Sequence, residues 1–168
     1  MMMTKYTGGS ELTEILLMMS GLEPCRILDL GAGGGETVRL LREQGFFAQG
    51  MDADGNDDVE AGDILHCHYE DGSFDAVISE GVFFGTGRET EGWAEVLRLL
   101  KTGGTMLLAD VCFTDVRGHV DRLQNAGFQV EHVEDASALW ADCGYLGQVE
   151  QLGGKGRCRY FLSICTKP

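Results

Sequence analysis

Two spacings of hydrophobic residues alternate along the first part of the chain. Apolar residues three and four positions apart predict a helix over residues 10–20, which Gly21 ends. The aliphatic run RILDL at residues 26–30 predicts a strand, and helical spacing returns over residues 36–43. A cluster of glycines separates these last two elements. The chain is therefore expected to begin with a helix, a strand, a glycine-rich turn and a second helix.

The same alternation continues toward the C-terminus. Apolar runs predict further strands over residues 46–51, 74–79, 105–111, 128–133 and 159–166. Helices are expected over residues 93–101, 115–126 and 136–150. Lys101 is placed in the last turn of the first of these helices, before Gly103 and Gly104, and Thr114 is expected to cap the second. Strands that alternate with helices predict an open, doubly wound α/β sheet with helices on both faces.

Length and composition are those of one globular domain. The chain has 168 residues, 43 % of them hydrophobic, which is enough to bury a single core. We expect one domain over residues 1–168, with residues 1–25 as an N-terminal segment and helix and residues 26–168 as the α/β core. The apolar runs are far shorter than the roughly 20 residues that cross a bilayer, and no leader peptide is expected. These features predict a cytoplasmic protein.

The charge balance argues against polyanionic partners. Acidic side chains outnumber basic ones by 27 to 13, which gives a formal net charge of −14. Such a field repels the phosphates of nucleic acids and the headgroups of anionic membranes. We therefore expect neither nucleic acid nor a membrane as a partner.

The six cysteines are dispersed along the chain and contain no CxxC pair, which predicts reduced and mostly buried thiols. One of them, Cys67, lies between His66 and His68, and side chains two positions apart on an extended segment share one face. The sequence identifies no third metal ligand. Solvated loop histidines are therefore favoured over a metal site.

The glycine-rich turn after the first predicted strand is the main candidate for a ligand site. In doubly wound sheets the ligand lies outside the carboxyl ends of the strands, and glycines let the backbone approach it closely. The turn reads DLGAGGGE from Asp29 to Glu36. The dinucleotide fingerprint GxGxxG requires its third glycine where this chain has Glu36. A carboxylate at that place disfavours a pyrophosphate at the helix N-terminus.

A different spacing, an acidic residue followed by alternate glycines, is met by Asp29, Gly31, Gly33 and Gly35. The acidic residue suits a ligand with a positive centre, and S-adenosylmethionine carries a sulfonium and an ammonium group. Asp52 ends the second predicted strand, where an acidic side chain accepts the ribose hydroxyls of an adenine nucleoside. We therefore expect S-adenosylmethionine as the cofactor and S-adenosylhomocysteine as its product.

Five segments in order make the chain resemble the class I S-adenosylmethionine-dependent methyltransferases, in the group of small-molecule and quinone-type enzymes. They are ILDLGAGGGETVRLL, GMDAD, GDILHCHYEDGSFDAVISEG, EVLRLLKTGGTMLLADV and LQNAGFQVEHVED. The resemblance covers nearly the whole chain. It implies a Rossmann-like, seven-stranded, mostly parallel sheet in which the last strand, residues 159–166, runs antiparallel between its neighbours.

The resemblance also implies a set of cofactor-binding residues. They are Asp29, Gly31, Ala32, Gly33, Gly35, Asp52, Ala53, Asp63, Ile64, Ser79 and Glu80. By this resemblance Asp29, Gly31 and Ala32 meet the methionine end of the cofactor, while Gly33 and Gly35 shape the loop.

The remaining residues of that set belong to the adenosine and sulfonium parts of the cofactor. The resemblance assigns the ribose to Asp52 and the packing of the adenine to Ala53. It assigns the adenine amino group to Asp63 and a backbone amide contact to Ile64. Ser79 and Glu80 face the sulfonium, and residues 6–9 resemble a stretch that closes over the cofactor in relatives.

Two regions depart from the family pattern. Residues 53–62 are too few for the usual crossover helix and third strand, which predicts an adenine pocket open on that side. Self-association could cover the open sheet edge there, so a homodimer is one expected assembly. Within residues 136–150, Trp140, Cys143 and Tyr145 are interpreted as part of a helix that packs on the sheet, rather than as a lid over substrate.

The sequence leaves three functions open. The leading hypothesis is methyl transfer to a small molecule, for which Glu80 or Asp110 is a candidate base where the acceptor must lose a proton. The second is a non-catalytic S-adenosylmethionine-binding module that acts through a partner. The third is a nucleotide-dependent oxidoreductase, which Glu36 disfavours.

Overall fold

A computed structural model of the protein describes residues 10–138 and 158–168. The expectations for residues 6–9, for most of the helix at 136–150 and for Trp140, Cys143 and Tyr145 fall outside these ranges. The fold below therefore concerns the described residues.

The described chain contains five helices and seven strands. The helices are α1 (Ser10–Ser20), α2 (Glu36–Glu43), α3 (Phe83–Thr86), α4 (Glu89–Leu99) and α5 (Val116–Asn125). The strands are β1 (Arg26–Leu30), β2 (Phe47–Asp52), β3 (Glu60–Ala61), β4 (Phe74–Glu80), β5 (Leu100–Cys112), β6 (Gln129–Asp135) and β7 (Arg159–Thr166).

The strands form one sheet in the order β3-β2-β1-β4-β5-β7-β6. Strands β3, β2, β1, β4 and β5 pair in parallel, whereas β7 lies antiparallel between β5 and β6. This confirms the predicted fold, including the antiparallel last strand. The strand order reverses between β1 and β4, so the carboxyl ends of these two strands open the crevice that binds ligands in doubly wound sheets.

Two apolar layers cover the faces of the sheet. On one face α1 contributes Leu12 and Leu16, and α2 contributes Val38 and Leu41, all of them buried. On the other face the main contribution comes from α4, whose Trp93, Val96 and Leu99 are buried. The helical spacing of these apolar residues therefore fixes which side of each helix meets the sheet.

The region around Lys101 differs from its prediction. Helix α4 ends at Leu99, and Lys101 belongs to β5 instead of to the last turn of the helix. The backbone amide of Gly103 donates to the carbonyl of Lys167 at 2.8 Å, and the amide of Lys167 donates to the carbonyl of Gly104 at 2.9 Å. Pairing with the end of the chain thus extends the strand backward, an effect that local spacing does not reveal.

The cap of α5 and the crossover after β2 also differ from expectation. Asp115, and not Thr114, is the N-cap of α5, since its carboxylate accepts from the amide of Gly118 at 2.8 Å. A third strand does form after β2, although it has only two residues. The connection that precedes it, residues 53–59, is fully described and contains no helix.

Because β3 is so short, β2 is an edge strand over most of its length. The two strands pair only at Met51 and Asp52. Further back, the side chain of Arg42 donates from Nε to the carbonyl of Ala48 at 3.0 Å, and Phe47 is 77 % exposed. None of the helices within the described ranges combines the length and the apolar character that a bilayer-spanning segment requires.

Candidate functional site

A pocket of about 520 Å³ opens at the carboxyl ends of β1 and β2. The described residues that line it are Gly31, Asp52, Ala53, Gly62, Asp63, Ile64, Val82 and Thr86. Two of these side chains are carboxylates, and the described lining contains no lysine or arginine. The pocket therefore favours hydroxyl, amino or cationic groups of a ligand over phosphates.

The glycine-rich turn between β1 and α2 is hydrogen-bonded to the end of β2. The amides of Gly31 and Ala32 both donate to the carbonyl of Met51, at 2.8 and 3.1 Å. The amide of Gly33 donates to Oδ2 of Asp52 at 2.8 Å. These bonds orient the carboxylate of Asp52 at the lip of the pocket and hold the loop against the neighbouring strand.

Glycine is required at two positions of this turn. Gly31 has a φ of +80°, and a Cβ there would lie only 2.3 Å from Cγ2 of Val82. Gly35, at the start of α2, has a φ of +87°. The positive φ values explain the glycines by backbone geometry, and the close approach of Val82 shows that the segment after β4 packs directly on the loop.

Five of the eleven sequence-predicted cofactor residues line the pocket together. They are Gly31, Asp52, Ala53, Asp63 and Ile64. Of the others, Ala32, Gly33 and Gly35 build the loop behind it, and Asp29 lies buried in β1. The structure thus places one group of predicted residues at the pocket and a second group in the elements that support it.

Ser79 and Glu80, at the end of β4, make contacts away from the pocket lining. The hydroxyl of Ser79 donates to the carbonyl of Leu30 at 3.1 Å. The Oε1 atom of Glu80 accepts from the hydroxyl of Thr13 at 2.8 Å, and the hydroxyl of Thr37 lies 3.4 Å away. Glu80 thereby joins α1 and α2 to the carboxyl end of β4.

Val82 and Thr86 are pocket residues that the sequence reasoning did not identify. Val82 is the N-cap residue of α3, and Thr86 is the last residue of this four-residue helix. The side chain of Asp110 in β5 holds this helix, since its Oδ2 accepts from the amide of Phe84 at 3.1 Å. Burial raises the pKa of Asp110 to about 7. The sequence offers one signal for Val82 and Thr86: they follow directly after a strand that ends at the predicted crevice.

Asp63 enters the pocket from the loop between β3 and β4. Its Oδ1 accepts from the amide of Leu65 at 2.9 Å, and its Oδ2 lies 3.0 Å from Nδ1 of His66. These hydrogen bonds hold the pKa of Asp63 below its usual range. Asp63 is therefore an oriented, ionised carboxylate at the mouth of the pocket.

Helix α4 fastens the same loop to the body of the protein. Glu95 accepts from the amide of Cys67 at 2.7 Å, and Arg98 donates to the carbonyl of Cys67 at 3.0 Å. Arg98 also donates to the carbonyl of Tyr69 at 2.8 Å and forms an ion pair with Asp71. Both backbone groups of Cys67 are thus held by side chains of one helix.

The His66-Cys67-His68 segment does not gather metal ligands in the described structure. His66 pairs with Asp63 and Glu91, whereas His68 pairs with Glu60 at 3.2 Å. Burial and the neighbouring Glu95 raise the pKa of Cys67 to about 12, so the thiol stays protonated. Among the described residues no group of three histidine, cysteine, aspartate or glutamate side chains could hold a metal ion.

Comparisons with known proteins agree with this geometry. Residues 28–108 match the family described as the methyltransferase domain. The matched region runs from β1 through most of β5 and therefore contains the glycine-rich turn, Asp52, Asp63 and the end of β4. The sequence has no significant match among curated proteins.

Solved structures share the fold over nearly the whole chain. The [4+2]-cyclase SpnF aligns with a TM-score of 0.75 and 18 % identity over 94 % of this chain and 80 % of its own. A Burkholderia thailandensis 1,6-didemethyltoxoflavin-N1-methyltransferase, solved with its substrate and S-adenosylhomocysteine, aligns with a TM-score of 0.74 and 14 % identity over 97 % and 79 %.

A third similar structure comes from a complex. It contains the Haloferax volcanii Trm112 methyltransferase activator and a candidate methyltransferase, and the match has a TM-score of 0.69 and 19 % identity over 95 % of this chain and 90 % of the other. Identities this low show a common fold and leave the chemistry of each protein to its own site.

Proposed function

The chain resembles the class I S-adenosylmethionine-dependent methyltransferases over residues 28–108 and shares their fold, and on that premise we propose that it transfers a methyl group from S-adenosylmethionine to a small-molecule acceptor. The observation that carries the proposal is the pocket at the switch point of the sheet, in which two carboxylates meet a glycine-rich turn. This combination suits an adenosine group with a positively charged tail.

The residues that line the pocket distinguish between S-adenosylmethionine and a dinucleotide as the ligand. A pyrophosphate needs backbone amides or basic side chains, yet the described lining is acidic, and Glu36 opens helix α2. The amide of Gly33 is already engaged by Asp52. The residues therefore fit S-adenosylmethionine, which brings hydroxyls, an amino group and positive charge, better than they fit NAD.

Individual residues can be given roles on this basis. We assign the ribose to Asp52, the adenine face to Ala53 and the adenine amino group to Asp63, all of which line the pocket. We assign the tail of the cofactor to the backbone of Gly31, which lines the pocket. Asp29, Ser79 and Glu80 remain predictions for the methionine and sulfonium end.

The contribution of the protein in this proposal is mainly orientation. Bound S-adenosylmethionine supplies an activated methyl group whose departure leaves S-adenosylhomocysteine. Residues of the β3–β4 loop and of the α3 segment would hold the adenosine end, so that an acceptor could be aligned with the methyl group. Asp110 and Glu80 fix helices through their hydrogen bonds, and we assign neither of them as a base.

A small-molecule acceptor is the second part of the proposal. The Burkholderia thailandensis enzyme of similar fold was solved with a small heterocyclic substrate. The net charge of −14 opposes nucleic acid and favours neutral or cationic acceptors over anionic ones.

A non-catalytic or partner-dependent role is the alternative. One protein of similar fold was solved in a complex with a methyltransferase activator, and another is described as a cyclase. The fold thus occurs in assemblies and in other chemistries. In this alternative the pocket binds the same cofactor, but methyl transfer is absent or requires a second chain.

Calorimetry with S-adenosylhomocysteine, S-adenosylmethionine and NAD tests the cofactor. We expect the first two to bind and NAD to bind at least tenfold more weakly. Tight binding of NAD without binding of the other two would identify an oxidoreductase and reject the proposal.

Transfer of a labelled methyl group tests catalysis. The full chain is incubated with methyl-labelled S-adenosylmethionine and a panel of amines, phenols and thiols, and the label is followed into products. Label in a small product, lost in the Asp52→Ala variant, supports an enzyme. Cofactor binding without transfer to any class of acceptor supports the binding module.

A further inference from the structure

The ring of His66 lies between two carboxylates. Its Nδ1 is 3.0 Å from Oδ2 of Asp63, and its Nε2 is 3.1 Å from Oε1 of Glu91. A neutral imidazole carries no net charge and a single N–H, whereas the imidazolium is attracted to both carboxylates. The two flanking carboxylates therefore favour the charged form of His66.

We propose that His66 is a positioning residue for the cofactor pocket, where it acts as a charged strap that ties Asp63 in the β3–β4 loop to Glu91 in α4. The inference rests on the proposed function, because it assigns a role in cofactor binding. His66 itself does not line the pocket and acts through Asp63.

The two ends of the strap belong to different segments of the chain near the pocket. Asp63 lies in the β3–β4 loop with Gly62 and Ile64, which line the pocket with it. Glu91 lies in the first turn of α4, which follows α3 and the pocket residue Thr86. The strap therefore connects the β3–β4 loop, which contributes three pocket residues, to the helix that follows the pocket residue Thr86.

The far end of the strap is itself held in place. Arg88, the N-cap residue of α4, donates from Nε to Oε2 of Glu91 at 2.7 Å. The series Asp63, His66, Glu91 and Arg88 thus alternates negative and positive charge. Each charge has an opposite neighbour, which favours one arrangement of the four side chains.

Loss of His66 should have only a small effect on cofactor binding, because the ion pair is exposed and the loop has other contacts with α4. The side chains of His66 and Asp63 are 61 % and 59 % exposed, so water screens their attraction. Glu95 and Arg98 still hold the loop at Cys67 when His66 is changed. Loss of the strap should therefore weaken binding of S-adenosylhomocysteine only about two- to fivefold, without unfolding the protein.

The strap should also make binding depend on pH. Three charged groups from the loop and from α4 act on the ring, and Asp63 and Glu91 raise the pKa of His66 while Arg88 lowers it. The net effect is a pKa above the usual value. The contribution of His66 is therefore present below this pKa and is lost as the ring becomes neutral at higher pH.

His68 provides a matched control for the test. It lies two positions away, is 57 % exposed and pairs with Glu60, which is not a pocket residue. Calorimetry with S-adenosylhomocysteine compares the full-length wild type with His66→Gln and His68→Gln at about pH 6 and about pH 9. We expect His66→Gln to bind about two- to fivefold more weakly than wild type at the lower pH and equally at the higher pH, with His68→Gln unchanged at both.

Two further variants separate the strap from a general structural effect. Glu91→Gln removes one arm without altering Asp63 and should reproduce part of the loss, while the double variant with His66→Gln should lose no more than His66→Gln alone. His66→Lys keeps a positive charge at both pH values and should keep affinity without the pH dependence. Thermal unfolding of each variant confirms that the fold is retained.

The outcomes separate the inference from the proposed function. Equal affinities of wild type, His66→Gln and His68→Gln at both pH values, with clear binding by wild type, overturn the strap and leave the proposed function standing. A pH-independent loss in His66→Gln that His66→Lys does not restore also overturns it. Failure of the wild type to bind S-adenosylhomocysteine overturns the proposed function and the strap together.

Discussion

The amide of Gly33 donates a hydrogen bond of 2.8 Å to the carboxylate of Asp52. Two parts of the predicted cofactor site, the glycine-rich loop and the acidic end of β2, are therefore joined by a direct hydrogen bond within the protein. A preformed contact of this kind lowers the conformational cost of binding. It also means that a change at Asp52 affects both the ribose contact and the loop.

Asp52→Ala should lower affinity for S-adenosylhomocysteine more than tenfold, because it removes the proposed ribose acceptor and releases Gly33. Asp52→Asn keeps an acceptor for the amide of Gly33 but loses the charge. Its affinity should therefore lie between those of the wild type and of Asp52→Ala. Asp54→Asn is the control, since Asp54 is exposed two positions further along. Calorimetry measures all three, and an unchanged affinity in Asp52→Ala would place the ribose elsewhere.

Gly31→Ala should be much more harmful than alanine at a glycine with open surroundings. Gly31 combines a φ of +80° with the contact to Val82, whereas Gly87 has a φ of +64° and no atom within 4 Å of an added Cβ. Gly87→Ala should lower the free energy of unfolding by about 1 kcal/mol through backbone strain alone. Urea unfolding should show a larger loss for Gly31→Ala.

The double variant Gly31→Ala and Val82→Ala tests the cause of that difference. Removal of the Val82 methyl groups relieves the clash and should recover part of the lost stability. If the double variant is as unstable as the sum of the single variants, contact with Val82 does not explain the requirement for glycine.

His119 should make the protein less stable as pH falls. Its ring is buried, with Nε2 2.9 Å from the hydroxyl of Ser163, and burial lowers its pKa to about 4 from the usual 6.5. Between these values the unfolded chain binds a proton that the folded chain rejects. This group alone removes about 3 kcal/mol of stability as pH falls from 6.5 to 4. Urea titrations at several pH values should show this slope disappear in His119→Gln.

Asp110 should have the opposite dependence. Burial raises its pKa from 3.8 to about 7, so the folded state holds a proton that the unfolded state has released. Its contribution is full below pH 3.8 and is lost as pH rises toward 7. The slopes of Asp110 and His119 oppose each other between pH 4 and 6.5. Asp110→Asn should therefore steepen the loss of stability on acidification, and an unchanged slope would show that Asp110 ionises normally.

Arg98→Ala should destabilise the protein by about 2 to 3 kcal/mol, because several buried or half-buried acceptors lose their donor at once. Arg98 holds the carbonyls of Cys67 and Tyr69 as well as two carboxylates. Arg117→Ala, at an exposed position of α5, controls for the loss of an arginine. The midpoint of urea unfolding provides the comparison, and equal midpoints would contradict the anchoring role.

Local sequence patterns were sufficient where the elements depend on local spacing. The bounds of α1, β1, α2 and β7 were predicted as the structure has them, since apolar periodicity and flanking glycines define them. Long-range pairing explains the error at Lys101, because the partner strand segment lies at the other end of the chain. The two-residue β3 is too short to produce a pattern.

The sequence predicts part of the candidate site. Residues within recognisable motifs, such as Asp52 and Asp63, meet at the pocket. Val82 and Thr86 were missed because their place depends on Asp110, which lies on another strand and holds α3. The pairing of His66 with Glu91 was equally hidden, since α4 brings them together across 25 positions of sequence.

The short β3 has a consequence for association between molecules of the protein. An exposed edge strand offers its backbone to strands of other molecules, and most of β2 is such an edge. Arg42 donates a hydrogen bond to the carbonyl of Ala48 and forms an ion pair with Asp58 at 2.8 Å. A guanidinium group here replaces part of a missing strand. Loss of Arg42 or of Asp58 should therefore free part of the β2 backbone and increase self-association of the protein.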